Sequence, residues 1–335
     1  MQAKERDVEF DLLRAMIILS ALFLHFHTNF NIETIITPFW FMQMKLLTVG
    51  GFFFFTAGYM ARKIYYKKFL QKNGEVAKRL VFKGVSILII YIAFVLFMHI
   101  STGTNIPDNA EGFIFNHRFF TKILFTFSLL FIITPVILFI ATRYEKSLLV
   151  FFLVIIALVY LYNQEWVSSL LVKKLLFDRK EFLYPLMPAL AVYLSGYYFA
   201  FYETNIIHKV SLEKLAVICI LILAMHYLLL DNSYTYNKLA TDKQNITFIE
   251  MFSPALLVFI ARYVLLYERV KKYLSSKYVL CIGILSLHFY VFSNVLIGLV
   301  PVSVTSDVWF KMTVLLLIAT VTYIFVYWRY RNRPE

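Results

Sequence analysis

Long apolar runs, each closed by a short cluster of charge, follow one another from end to end of this chain. A helix needs roughly 20 apolar residues, at about 1.5 Å of rise each, to cross a bilayer. Ten runs of that kind can be drawn: Leu12–Phe30, Leu46–Ala61, Leu80–Met98, Phe119–Ala141, Leu148–Tyr162, Phe182–Tyr202, Leu215–Leu230, Phe248–Tyr267, Val279–Val300 and Trp309–Trp328. The second and fifth are short and lean on the others for their status. Charged residues make up only 16% of the 335 residues against 61% hydrophobic, and the mean hydropathy is +0.72. A soluble domain is nearer half apolar. The expected fold is therefore all-α, a polytopic membrane bundle of about ten transmembrane helices, with residues 1–335 as a single domain. No small-residue cleavage site follows the first run, which reads as a membrane helix rather than a signal peptide.

The net charge of +13 has its natural place on one membrane face. On a soluble chain it would suggest nucleic acid; here it argues against such a partner and for anionic lipid headgroups. With ten spans both termini share a side. Assigning each Lys and Arg to its nearer face gives 23 on the side of the termini and 10 opposite. That places the termini, and the basic cluster from Arg62 to Lys83, in the cytoplasm. Residues 99–118, 163–181 and 231–247 become the long outer loops, which either cover an external substrate or simply connect helices. The stretch Glu165–Glu181 has an interfacial amphipathic pattern, with Leu170, Leu171, Leu175 and Leu176 on one face.

Cys219 and Cys281 lie inside apolar runs and suggest no disulfide. The seven histidines show no metal-ligand spacing, so no metal is expected. An ionisable residue within a membrane helix is costly and marks function by default. The first run carries three, Arg14, His25 and His27, the last pointing to a different side of the helix. Arg14 lies near its cytoplasmic end and His25 eleven residues on. Eleven residues bring the two side chains to within about 20° of one face, and separate them by about 16 Å along the axis. Asp11, three residues before Arg14, is placed to orient the guanidinium. An arginine fork at the inner surface suits phosphate, and a neutral histidine in mid-membrane suits proton abstraction from a hydroxyl. The same residues also suit a plainer role, with Arg14 anchoring the helix end at the headgroups and His25 bonding a neighbouring helix.

The segment Asp11-Leu12-Leu13-Arg14-Ala15, with ten residues between Arg14 and His25, resembles the opening signature of the acyltransferase-3 family. Phe53-Phe54-Phe55-Thr56-Ala57-Gly58-Tyr59 is similar to that family's Phe-Phe-x-x-Ser-Gly-Phe stretch, with Ala57 in place of Ser. Lys78-Arg79-Leu80-Val81-Phe82-Lys83 stands where the family has Arg-x-x-Arg. Ile133-Thr134-Pro135, Tyr193-Leu194-Ser195-Gly196-Tyr197-Tyr198 and Ser286-Leu287-His288-Phe289 resemble later segments. The resemblance implies an integral membrane enzyme of a bacterial plasma membrane, a short member with no appended extracellular domain. It would move an acetyl or other acyl group from cytoplasmic acyl-CoA, acetyl-CoA being the expected donor, to an extracytoplasmic glycan or cell-envelope hydroxyl. His25 becomes the general base. Arg14, Arg62, Lys63, Arg79 and Lys83 become contacts for the donor phosphates, His288 a substrate-binding residue, and Asp11 and Gly58 structural supports. The competing reading is an exporter of a glycan or glycolipid, which calls for broken helices in repeated halves. No repeat is visible in the sequence.

Overall fold

The structure, a computed structural model, describes residues 8–30, 51–102, 122–161, 175–176, 185–209, 217, 243–265, 267–300 and 308–332. Every regular element among them is helical. All but one residue of the seventh apolar run and almost all of the proposed interfacial helix lie outside the described residues, as do the greater parts of the long outer loops. Most of the length of the other runs is helical, with ends that differ from the drawn bounds by a few residues in either direction. The helices are α1 (Val8–Phe30), α2 (Gly51–Met60), α4 (Asn73–Thr102), α5 (Lys122–Arg143), α6 (Glu145–Leu161), α7 (Leu186–Lys209), α8 (Lys243–Leu265), the pair α10 (Lys277–Ile284) and α11 (Ser286–Leu299), and α12 (Val308–Arg331). Two short helices join them: α3 (Lys67–Gln71), and α9 (Glu268–Leu274).

Three of these helices are long and apolar enough to cross a bilayer: Asn73–Ser101, Lys122–Arg143 and Trp309–Arg331. The pair α10 and α11 adds a fourth if its two arms form one span. Their outward faces carry bare apolar side chains. Phe82, Ile89 and Ile100 are largely exposed on α4, and Leu316, Leu317 and Ile324 on α12. Water would not tolerate such faces side by side, whereas lipid tails would. Trp309 and Trp328 are both exposed near the two ends of α12. Nineteen residues separate them, about 28 Å of helix, close to one hydrocarbon thickness. Indole rings prefer the two headgroup layers, so this spacing suits a spanning helix.

The chain forms two compact units. The first contains residues 1–49 and 256–335. Its centre is α1, with Phe10, Ile18 and Phe26 fully enclosed. This helix packs against α10, α11 and α12. Its closest neighbour is α10, where Gly283 lies against the Asp11 carbonyl and a Cβ at Gly283 would collide with that oxygen. The apolar run Val279–Val300 is not one straight helix. It breaks at Leu285, and the two arms meet at 79°.

The second unit contains residues 50–255. Here α2 packs along α7, and α4 along α5. The first crossing has glycine on both sides: a Cβ at Gly58 would strike the Tyr193 carbonyl, and one at Gly196 the Phe55 carbonyl. Small residues let backbones approach, which is the main source of dispersion contact between helices in lipid. Beyond Met60, α2 runs on through a π-helical stretch, Ala61–Tyr66, into α3. Asn73 then opens α4, its side-chain oxygen accepting from the Gly74 N–H at 2.7 Å. Pro135 lies inside α5, where Thr134 hydroxyl donates to the Leu130 carbonyl at 2.6 Å and accepts from Tyr193 hydroxyl at 2.9 Å.

Candidate functional site

In the first unit, α1 holds Asp11, Arg14 and His25 on one continuous helix. Asp11 is buried, and its Oδ1 accepts from Arg14 Nη1 at 3.2 Å, as the three-residue spacing predicts. Arg14 remains half-buried, with 18% of its side chain accessible. One turn earlier Glu9 pairs with Arg262 of α8, Nε to Oε1, at 3.1 Å. The end of α1 marked by Glu9, Asp11 and Arg14 thus gathers two acid–guanidinium pairs, one of them to a residue that spacing alone did not single out.

His25 lies deeper along the same helix and meets α11. Its Nδ1 is 2.8 Å from Asn294 Oδ1. Asn294 Nδ2 in turn donates to the Tyr290 carbonyl at 2.7 Å, one turn back on its own helix. The Tyr290 ring stands edge-on to the imidazole, with centroids 5.5 Å apart and planes at 76°. Tyr290 and Asn294 are four residues apart, so one face of α11 supplies both contacts. His288 is half-buried on the first turn after the break, six residues before Asn294. Six residues place it about 120° away around the helix. Asn294 bonds His25, and His288 lies on a different side of α11. The signal for Asn294 in the sequence was a lone amide inside an apolar run. His27 is buried and lies on another side of α1.

The remaining candidates belong to the second unit. Arg62 sits in the π-helical stretch among aromatic rings. Its guanidinium is 4.0 Å from the Tyr66 ring centroid, 4.5 Å from Phe201 and 5.4 Å from Tyr197. It also donates to Tyr197 hydroxyl at 2.9 Å and pairs with Glu145 Oε1 at 3.1 Å. Lys63 donates to Tyr59 hydroxyl at 2.7 Å, and that hydroxyl donates to Glu203 Oε2 at 2.8 Å. Stacked rings and a carboxylate favour the delocalised fork of Arg over a point charge. Arg62 and Lys63 both lie in the π-helical stretch, and such stretches recur at functional positions. Arg79 and Lys83 are exposed on α4, and Lys83 Nζ lies 4.6 Å over the Phe131 ring. Gly58 is buried at the α2–α7 crossing, a supporting place. Among the described residues no three His, Cys, Asp or Glu side chains gather as metal ligands. Comparison of the chain with protein-family models, with curated proteins and with solved structures yields no match.

Proposed function

We propose that the chain is a multi-pass plasma-membrane O-acyltransferase. It takes an acyl group, acetyl being the first candidate, from cytoplasmic acyl-CoA and gives it to an extracytoplasmic glycan hydroxyl. The observation that carries this reading is His25, held through one ring nitrogen by Asn294 of α11, while its own helix α1 also presents Arg14 about 16 Å nearer its start. Arg14, oriented by Asp11, is the donor-phosphate contact. The acceptor hydroxyl oxygen attacks the thioester carbonyl carbon as its proton passes to the imidazole. The C–S bond then breaks, and the leaving thiolate takes the proton from the imidazolium. The products are an ester and free CoA thiol. A base is needed because a neutral hydroxyl attacks a thioester weakly, and such a base contributes roughly 10²–10⁴-fold.

Purified protein in vesicles, given radiolabelled acetyl-CoA and cell-envelope acceptors, should transfer label. Arg14→Ala should weaken acetyl-CoA binding by roughly 1.5–3 kcal/mol, the worth of a charge-assisted bond. Normal binding by a folded Arg14→Ala protein would leave Arg14 as a headgroup anchor.

One observation favours the exporter reading. The α10–α11 break at Leu285 is the kind of interruption that lines transport paths. Movement of an acceptor glycolipid across vesicles without acyl-CoA would select that reading over the transferase.

A further inference from the structure

We infer that Asn294 is the positioning residue of His25, fixing the imidazole in the tautomer whose lone pair is on Nε2. The catalytic part of this inference rests on the transferase reading; the geometric part does not.

The Tyr290 carbonyl accepts hydrogen bonds and cannot donate, so the Asn294 atom 2.7 Å from it must be the amide nitrogen. The amide oxygen then faces His25 Nδ1 at 2.8 Å. An amide oxygen also only accepts, so Nδ1 must carry the hydrogen. A neutral imidazole has one N–H, which leaves the lone pair on Nε2. The edge-on Tyr290 ring limits rotation of the imidazole about its Cβ–Cγ bond. Two residues of one helical turn therefore set both the plane and the protonation pattern of the ring.

The choice of an amide has a physical reason. Asn294 is 6% exposed, beside the fully buried Ser293. A carboxylate at that depth would carry a large desolvation cost. An amide orients the ring without a buried charge. As Nε2 takes a proton, the Nδ1–H bond to the amide oxygen becomes charge-assisted and shortens. Asn294 thus stabilises the imidazolium at the moment it forms, which is the role the third member plays in nucleophile–histidine–orienter arrangements.

Nitrogen NMR on protein labelled with ¹⁵N-histidine, in micelles, tests this directly. His25→Gln identifies the His25 signals among seven histidines. The wild type should show a protonated Nδ1 and an unprotonated Nε2 at His25. Asn294→Leu, close in volume, should shift His25 toward the mixture of tautomers of an unconstrained imidazole. It should lower kcat about 10- to 100-fold with acetyl-CoA affinity unchanged. Asn294→Asp, whose carboxyl stays protonated at that depth, can donate to the Tyr290 carbonyl through one oxygen and accept from Nδ1–H through the other, and should return the tautomer and most of kcat. A wild-type His25 protonated on Nε2 overturns the inference whether or not the Asn294 variants fold. So does a tautomer indifferent to Asn294→Leu. The expected tautomers in a protein that transfers no label would support the positioning role and refute the transferase reading.

Discussion

The crossing of α2 and α7 turns on two hydrogen atoms, those that stand in place of side chains at Gly58 and Gly196. Gly58→Ala would drive a methyl group into the Tyr193 carbonyl and close to the Tyr197 amide. Backbone oxygen cannot rotate aside, so the helices must separate. A gap of about 1 Å forfeits a quarter to a half of each dispersion contact across it. The contacts at stake are specific. The Phe55–Phe199 and Tyr59–Phe199 ring pairs join the same two helices. So does the hydrogen bond from Tyr59 to Glu203, and Arg62, in the π-helical stretch that continues α2, donates to Tyr197 of α7. Overpacking alone costs roughly 1–3 kcal/mol, and stretching a charge-assisted bond adds roughly 1 kcal/mol or more. A loss of about 3–4 kcal/mol is expected for Gly58→Ala. Gly196→Ala meets the Phe55 carbonyl at the same crossing and should cost a similar amount. Once one methyl has parted the helices the second has room, so the double variant should lose much less than twice the single loss. Reversible unfolding in mixed micelles, followed by the near-ultraviolet signal of the tyrosines, measures all three. A single variant within about 0.5 kcal/mol of wild type, or strict additivity, would refute the close crossing.

Further outcomes follow from other contacts. Arg62→Ala removes the Glu145 pair, the Tyr197 bond and the ring contacts, and should destabilise the protein by roughly 1.5–3 kcal/mol, the lower part of the range reflecting the 35% exposure of the Glu145 side chain. Arg62→Lys should recover less than half, because an ammonium cannot stack and pair at once. Unchanged thermal stability in Arg62→Ala, checked by a melting curve, would show that Arg62 is not held as described. For orientation, single cysteines at Leu70 or Lys272 should resist a membrane-impermeant maleimide added from outside, and cysteines at Asn105 or Ala240 should react. Outside labelling at Leu70 would invert the topology.

Apolar run length was enough to find most helices, because burial of twenty apolar side chains in lipid needs no partner residue to be known. The break at Leu285 was not legible. The sequence Cys281-Ile282-Gly283-Ile284-Leu285-Ser286 contains no proline, and the bend accompanies packing of Gly283 on Asp11, roughly 270 residues away in sequence. The pairing of Arg14 with Asp11 was legible because it is local. The shared face of Arg14 and His25 follows from helix geometry alone. Asn294 was not foreseen as the partner of His25, since 269 residues separate them and only folding sets their register. The same holds for Arg62, whose basic cluster announced a membrane face while its carboxylate partner, Glu145, and two of its three ring partners, Tyr197 and Phe201, came from two other helices.

The central claim is that His25 is the base of an acyl transfer. The measurement is transfer of labelled acetyl from acetyl-CoA by wild type, His25→Ala and His27→Gln, each purified and matched for folded protein. His27 is the internal control, because its side chain points about 200° away around α1 and is buried against other neighbours. The account predicts acetyl-CoA binding in all three, near-normal transfer in His27→Gln, and a loss of roughly 10²-fold or more in His25→Ala. Full transfer by His25→Ala, or an equal loss in His27→Gln, would contradict it.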